Sequence, residues 1–122
     1  MQLGRTPGPR HWYTIAIGRT GFRLNFTVNS VSQRIGCEIF MYDEHAKQYY
    51  ELLYDQKESV ETELGYDLEW QHLEERKGSR IAKYREGQID NEDERQELIE
   101  WLYGKAVEFH RVFGQRIQSL QV

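Results

Sequence analysis

A short basic turn is the segment whose residue types best suit a ligand. Residues 76–80 read Arg-Lys-Gly-Ser-Arg, so three cations flank a glycine and a hydroxyl. Such a turn can present backbone N–H groups and positive charge to a phosphate. An ordinary solvated hairpin turn has the same composition, and the sequence leaves both interpretations open.

Basic and acidic residues are distributed unevenly along the chain. Residues 1–37 carry five arginines and no acidic residue, whereas all 20 acidic residues lie in 38–122. This asymmetry can mark a nucleic-acid-binding face, but arginine on the solvent side of strands and glutamate on that of helices would produce it too. On the first interpretation, the nucleic-acid-binding residues are Arg19, Arg23, Arg76, Lys77, Ser79, Arg80, Lys83 and Arg85.

Potential catalytic groups do not form a recognisable arrangement. Cys37 lies on the apolar face of a predicted strand, which favours a buried thiol over a nucleophile with a histidine base. Glu38 and Asp43 could suggest a nuclease metal pair, but a restriction-type nuclease needs a lysine two residues after the glutamate, and Phe40 stands there. We therefore predict no catalytic residue and lean against an enzyme, without excluding one.

The sequence has no motif for a metal ion or a cofactor. It lacks the C-x-x-C and H-E-x-x-H patterns of zinc sites and the glycine-rich loops that hold phosphates. We therefore predict neither a metal site nor a cofactor. The four histidines are scattered along the chain, at His11, His45, His72 and His110.

The three tryptophans could stack on nucleobases. They are Trp12, Trp70 and Trp101. Trp70 alternates with Leu68 in a predicted strand, and Trp101 flanks the apolar stripe of the last helix. Because aromatic side chains carry a large burial energy, packing in or beside the core is the favoured interpretation for all three.

Five segments have the composition or the alternation of β-strands. Apolar and polar residues alternate through the whole of 22–28, which is typical of a half-buried strand. Short connections between consecutive strands favour antiparallel pairing. The predicted strands are 12–18, 22–28, 35–42, 67–73 and 80–86.

The first predicted helix begins at Glu44, with Asp43 as its cap. Its apolar residues recur at helical spacing up to Leu64, and Gly65 suits a left-handed C-cap. We expect a kink or a restart near 55–58.

The second predicted helix runs over 92–120 behind Asn91, which with Glu94 has the spacing of a capping box. Its apolar residues recur every three or four positions. Gly104 and Gly114 each weaken this helix by about 1 kcal/mol relative to alanine. We expect close approach to the sheet to explain them.

The element order β-β-β-α-β-β-α predicts an α+β fold. We expect an antiparallel or mixed five-stranded sheet with two helices packed on one face. The other face is then polar and carries arginine, and a partner could bind there. We expect Arg23, Lys83 and Arg85 to share that face.

The length of 122 residues suits one domain, predicted over 11–122. Residues 1–10 contain two glycines and two prolines and are predicted to be a flexible lead-in, left by a cut within a longer protein. No apolar run approaches the roughly 20 residues that cross a bilayer. The N-terminus has no apolar signal-peptide core, and one cysteine allows no intrachain disulfide. We predict a cytoplasmic protein with no membrane partner.

Six strings resemble an uncharacterised bacterial and archaeal family, a domain of unknown function. They lie within roughly 11–115, which is nearly the whole chain. They read HWYTIAIG at 11–18, IGCEIF at 35–40, ETELGYDLEW at 61–70, RKGSRI at 76–81, EWL at 100–102 and EFHRVF at 108–113.

The resemblance implies a setting rather than a mechanism. Members of that family often follow a nuclease domain of the restriction-endonuclease superfamily, so a role beside a DNA-processing or defence protein is implied, with a nuclease domain or protein as a partner. We hypothesise an accessory module that binds nucleic acid or a partner protein. The alternative is a structural or dimerisation domain, with Tyr49, Tyr54 and Tyr103 at a homodimer interface.

Overall fold

The computed structural model describes residues 13–121. The predicted lead-in over 1–10 and Trp12 lie outside the described residues. The predicted α+β class and the five strands are confirmed, and every pair of neighbouring strands is antiparallel. Within the described part of the chain, no helix has the length and apolarity that crossing a membrane requires.

The sheet has the strand order β1-β2-β3-β5-β4. The two edge strands, β1 and β4, have three residues each, so both are shorter than predicted. The three central strands have eight residues each and carry most of the pairing. The strands are β1 Tyr13–Ile15, β2 Phe22–Asn29, β3 Arg34–Met41, β4 Glu69–Gln71 and β5 Ser79–Glu86.

Alternation within β2 and β3 directs one side of the sheet into the core. Leu24 pairs with Ile39 and Phe26 with Cys37, and all four side chains are buried. This confirms the predicted apolar face of both strands and the buried position of the thiol. Burial also raises the pKa of the Cys37 thiol, so the reactive thiolate is disfavoured.

Three helices, rather than the two predicted, pack on that apolar side of the sheet. The predicted helix over 44–64 is divided into α1 Ala46–Tyr54 and α2 Lys57–Leu64. The break falls at Gln56, where the expected restart was placed, because its N–H bonds to the Leu53 carbonyl three residues back.

The sequence predicted the C-terminal cap of α2 correctly, but it did not predict the N-terminal cap of α1. Gly65 adopts a left-handed conformation at the end of α2, as predicted. Asp43 is not the N-cap of α1, which begins two residues later than expected, at Ala46. Instead, Asp43 Oδ1 accepts a hydrogen bond from the His45 N–H at 2.8 Å, and so shapes the turn before the helix.

The last helix, α3 Glu92–Gln118, has the predicted start and the predicted buried stripe. The Asn91 side chain accepts a hydrogen bond from the Asp93 N–H at 2.9 Å, which caps the helix. The buried stripe residues are Leu98, Leu102, Ala106, Phe109, Phe113, Ile117 and Leu120.

The glycines of α3 do not mark close approach to the sheet, so that expectation is wrong. A Cβ added at Gly104 or Gly114 would meet no described neighbour within 4 Å. The close approach occurs instead at Gly36 in β3, where a Cβ would lie 2.6 Å from the Tyr84 ring and 2.8 Å from Thr27 Oγ1. The absence of a side chain is therefore required in the sheet rather than in the helix.

We expect Gly104→Ala to raise the free energy of unfolding by about 0.5–1 kcal/mol, because the helix gains propensity without a collision. Gly36→Ala is the matched substitution with the opposite sign, and it should cost about 1–3 kcal/mol because the methyl group would displace Tyr84 and Thr27. Urea unfolding measures both. A destabilised Gly104→Ala variant would contradict this assignment.

Candidate functional site

The sheet face opposite the helices, here called the open face, collects polar and aromatic side chains. The helices pack on the face that carries Leu24, Ile39 and Ile81, so the alternate residues of each strand point the other way. Its members are Thr14, Arg23, Asn25, Thr27, Asn29, Arg34, Gly36, Glu38, Phe40, Glu69, Gln71, Arg80, Ala82, Tyr84 and Glu86.

Strand register arranges these residues in rows across the sheet. One row contains Arg23, Phe40, Arg80 and Gln71, which are successive partners on β2, β3, β5 and β4. The next row has Glu38 at its centre, on β3. In the first row Arg23 and Arg80 therefore flank Phe40, at the spacing between strands of about 4.8 Å.

Three arginines on the open face lie beside aromatic rings. Arg34 is stacked closest, with its guanidinium carbon 3.7 Å from the centroid of Tyr84. The equivalent distances are 4.4 Å from Arg23 to Tyr42 and 5.7 Å from Arg80 to Phe40. Stacking of this kind holds a guanidinium over a ring without neutralising its charge.

Glu38 is the buried centre of the open face, with only 4% of its surface exposed. Asn25 Nδ2 donates to Glu38 Oε2 at 3.2 Å, and Thr14 Oγ1 donates to Asn25 Oδ1 at 3.0 Å. Arg80 Nε lies 2.7 Å from Glu38 Oε1, so the two side chains form an ion pair.

Burial raises the pKa of the Glu38 carboxyl above its ordinary value, although Arg80 and the hydrogen bond from Asn25 oppose the shift. Removal from water therefore outweighs the charge of the neighbouring guanidinium. Glu38 is thus held in surroundings that penalise its charged form.

A cavity of about 180 Å³ lies on the open face. Its walls include Thr27, Arg34, Glu38, Arg80 and Tyr84. This is below the roughly 300–1,000 Å³ of small-molecule pockets. Among residues 13–121 no group of three or more His, Cys, Asp or Glu side chains could hold a metal ion. The arrangement suits recognition by an extended surface.

The eight sequence-predicted binding residues do not form one surface. Arg23 and Arg80 lie on the open face, and Arg76 and Lys77 are exposed in the turn that leads into β5. Ser79 is fully buried, and its hydroxyl donates to the His72 carbonyl at 2.7 Å.

Arg19, another of the eight, binds the end of α3. Its Nη1 donates to the carbonyls of Ile117 at 2.8 Å and Leu120 at 2.6 Å. A cation at this position satisfies carbonyls that have no partner within the helix. The contact gives Arg19 a structural role.

The expectation that Lys83 and Arg85 share a face with Arg23 is wrong. In β5 they alternate with Arg80 and lie on the helix side of the sheet, opposite Cys37 and Ile35 of β3. Lys83 Nζ donates to the Asp67 carbonyl at 3.2 Å, and Arg85 Nη2 lies 3.3 Å from Glu97 Oε1 on α3. Binding of nucleic acid by either residue stays a prediction.

Sequence reasoning missed Arg34, Tyr84 and Gly36 as parts of the open face. Arg34 was counted among the N-terminal arginines, but its partner ring on β5 depends on strand order. The available signal was the alternation of Gly36 and Glu38 with apolar residues in β3, which placed both on the polar side.

Lys47 on α1 anchors the basic turn through hydrogen bonds. Its ammonium donates to the carbonyls of Leu73 and Gly78, each at 2.8 Å, to Ser79 Oγ at 3.1 Å and to the His72 carbonyl. Partial burial lowers the pKa of this ammonium, while Glu74 opposes the shift. The turn is therefore an anchored loop and not a freely solvated one.

The fold and the open face define a class: a small α+β domain whose sheet, in the described part of the chain, has helices on one face and polar and aromatic side chains on the other. A family profile described as a domain of unknown function, DUF4268, matches residues 2–117, and the chain belongs to this family. The predicted membership in a family of unknown function is thereby confirmed, whereas its association with nuclease domains stays a prediction. No curated protein and no solved structure is significantly similar to the chain.

Replacing Lys47 with methionine should loosen the basic turn, because three carbonyls and a hydroxyl lose their shared donor. We expect a loss of about 1–2 kcal/mol in stability and faster tryptic cleavage after Arg76 and Lys77. Lys57→Met is the control, since that ammonium bridges to Glu61 within α2. Unchanged cleavage in Lys47→Met would show that other contacts hold the turn.

The Glu38 carboxyl should make wild-type stability fall with rising pH relative to Glu38→Gln. Its pKa is raised in the folded state, so the folded protein binds the proton more tightly than the unfolded chain. The stabilisation is complete below the unfolded pKa of about 4.3 and is lost as pH rises through the folded pKa. Urea melts of both proteins from acid to neutral pH measure the difference. The opposite slope would mean that the ion pair with Arg80 dominates.

Proposed function

We propose that the chain is a non-catalytic accessory module of a DNA-processing or defence protein and binds single-stranded nucleic acid through the open face. The observation that carries the proposal is that Arg23, Arg34 and Arg80, on the sheet face that no described helix covers, each lie beside an aromatic ring. The family resemblance supports the DNA-processing setting.

Arginine and aromatic side chains have separate roles in such binding. Ring faces and guanidinium planes stack on unpaired bases, while cations contact phosphates. Within residues 13–121 neither Arg23 nor Arg34 forms an ion pair with an acidic side chain, although Glu86 is the cross-strand partner of Arg34. Both guanidiniums are therefore available to contact phosphate. Arg80 is paired with Glu38 and is better suited to position neighbours than to bind phosphate.

The basic turn extends this surface. Arg76 and Lys77 are exposed, and Gly78 lies against Phe40 of the open face, where an added Cβ would be 2.6 Å from the ring. The anchoring by Lys47 fixes the turn beside the row that contains Phe40 and Arg80. A single strand of nucleic acid that lies along that row would reach the basic turn at the end of the row.

The surface favours a single strand over a duplex. Stacking needs unpaired bases, and the open face offers rings rather than a helix shaped for the major groove. The whole chain has a net charge of −4, so a general electrostatic attraction for nucleic acid is absent. Binding must then depend on local contacts.

The observations give the dimerisation alternative less support. Tyr49 is buried with 4% exposure, and Tyr103 is partly buried against the core, so of the three proposed interface tyrosines only Tyr54 is largely exposed, at 48%. A homodimer stays a prediction of the sequence.

Fluorescence anisotropy with a labelled single-stranded oligonucleotide tests the proposal. We expect Arg23→Ala and Arg34→Ala each to weaken binding by about three- to tenfold, since each removes a phosphate contact. Tyr84→Leu should weaken it by about tenfold through lost stacking. With three or four phosphate contacts, the slope of log K against log salt should be about −2 to −3.

Arg85→Ala is the matched control, because it removes an arginine from the helix side of the same sheet. It should leave binding within the error of the measurement. Equal loss in Arg85→Ala and Arg34→Ala, a preference for duplex, or no binding at low salt would each contradict recognition through the open face.

A further inference from the structure

A second recess lies on the helix side of the sheet, beside α1 and β4. It is a cavity of about 760 Å³, and aromatic and acidic side chains contribute most of its lining. Its volume is within the range of about 300–1,000 Å³ that is typical of ligand sites. The lining residues are Tyr50, Glu51, Tyr54, Asp55, Lys57, Trp70, His72 and Glu74.

We propose that this cavity binds an organic ammonium cation, of the quaternary or methylated type. Neither the family description nor the proposed nucleic-acid binding assigns a role to these residues. The inference is independent of the open face, which shares no lining residue with the cavity.

The aromatic side chains form walls that meet at a corner. Trp70 is perpendicular to Tyr54, with an interplanar angle of 89° and ring centroids 5.6 Å apart. Tyr50 stacks on Tyr54 at 26° and 5.9 Å, and it stands at 70° to Trp70. A cation within about 6 Å of more than one such ring is attracted by the negative faces of the rings.

The charge of the lining favours a cation. Glu51, Asp55 and Glu74 supply three carboxylates, and within the described part of the chain none of them forms an ion pair, although Glu74 interacts electrostatically with Lys47. The single cation of the lining, Lys57, lies 3.2 Å from Glu61 Oε1, which offsets its charge. A nucleic-acid phosphate would be repelled here, so this cavity and the open face select opposite charges.

The carboxylates are poorly arranged for a hard metal ion. Calcium takes six to eight oxygen ligands at short range, whereas residues 13–121 contain no cluster of three groups that could hold a metal ion. Aromatic rings also contribute nothing to such a coordination shell. A soft, weakly hydrated organic cation uses both the rings and the distributed negative charge.

Hydrogen bonds within the protein preorganise part of the cavity lining. Glu61 Oε2 accepts hydrogen bonds from the Trp70 indole at 3.1 Å and from the Leu68 N–H at 2.8 Å. The backbone of His72 is fixed by Lys47 and by the hydroxyl of Ser79. Ring orientation is therefore set by the fold, which reduces the ordering cost of binding.

An NMR titration that follows the Trp70 indole N–H tests the inference with choline as the probe. The neutral control is 3,3-dimethylbutan-1-ol, which has the same shape with carbon in place of nitrogen. We expect saturable shifts with choline at millimolar concentration and affinity for the neutral compound weaker by about fivefold or more. Equal affinity for both compounds, or no shift with choline, would overturn the proposal.

Substitutions at Tyr54 connect the binding to the rings. Tyr54→Leu should weaken choline binding by about fivefold, whereas Tyr54→Phe should retain it, because the ring face is kept. Tyr54 is 48% exposed, so both variants should fold, which circular dichroism checks. If Tyr54→Leu binds choline as wild type does, the aromatic corner is not the site.

Two further measurements define the source of the cation and separate this site from the open face. An N-acetyl trimethyllysine amide that binds more tightly than choline would identify a modified side chain as the ligand, whereas equal affinity would identify a free ammonium compound. Tyr54→Leu should leave oligonucleotide binding unchanged. Loss of choline binding with intact oligonucleotide binding would thus place the effect in the cavity, and failure of either activity alone would overturn only its own proposal.

Discussion

Because the described helices all pack on one side of the sheet, every second residue of the long strands is excluded from the apolar core. On the opposite side, the polar groups of these residues must form hydrogen bonds and ion pairs with one another. Glu38 shows the consequence most clearly, since it is almost fully buried although no described helix lies on its side of the sheet. Its contacts with Asn25 and Arg80 compensate a charge that the surroundings penalise.

The same constraint explains why Gly36 and Tyr84 belong together. Gly36 has no side chain, so the Tyr84 ring can lie across the sheet, and Arg34 can stack on the ring. Gln71 on the edge strand donates to the Tyr84 hydroxyl at 3.1 Å and accepts from Arg80 at 3.3 Å, so the ring and the cation are fixed by one amide. A rigid arrangement of this kind lowers the ordering cost of recognising a ligand.

The sequence predicted the parts of the fold that depend on local periodicity. β2, β3 and β5 were found within two residues, and α3 began where Asn91 predicted, because alternation and helical spacing persist over eight or more residues. The sequence predicted where the division between α1 and α2 falls. It did not show whether the helix kinks or stops there, since no glycine or proline occurs at that point.

The open face was predictable only in outline. The polar positions of β2 and β3 follow from alternation, but the ring that Arg34 contacts belongs to β5. In the sheet β5 is next to β3, whereas in the sequence α1, α2 and β4 lie between them. Assigning Lys83 and Arg85 to the helix side required the alternation of β5 to be counted from Ile81. Composition, by contrast, treats all these cations alike.

Lys47 links the two proposed sites physically. It binds the His72 carbonyl, which belongs to the cavity lining, and the Gly78 carbonyl, which belongs to the basic turn beside the open face. One ammonium thus sets the backbone of both surfaces, although their ligands would carry opposite charge. A cation in the cavity would lie against Glu74, two residues before the basic turn begins. Coupling between the sites therefore requires that the Lys47 contacts rearrange, since proximity alone transmits no free energy.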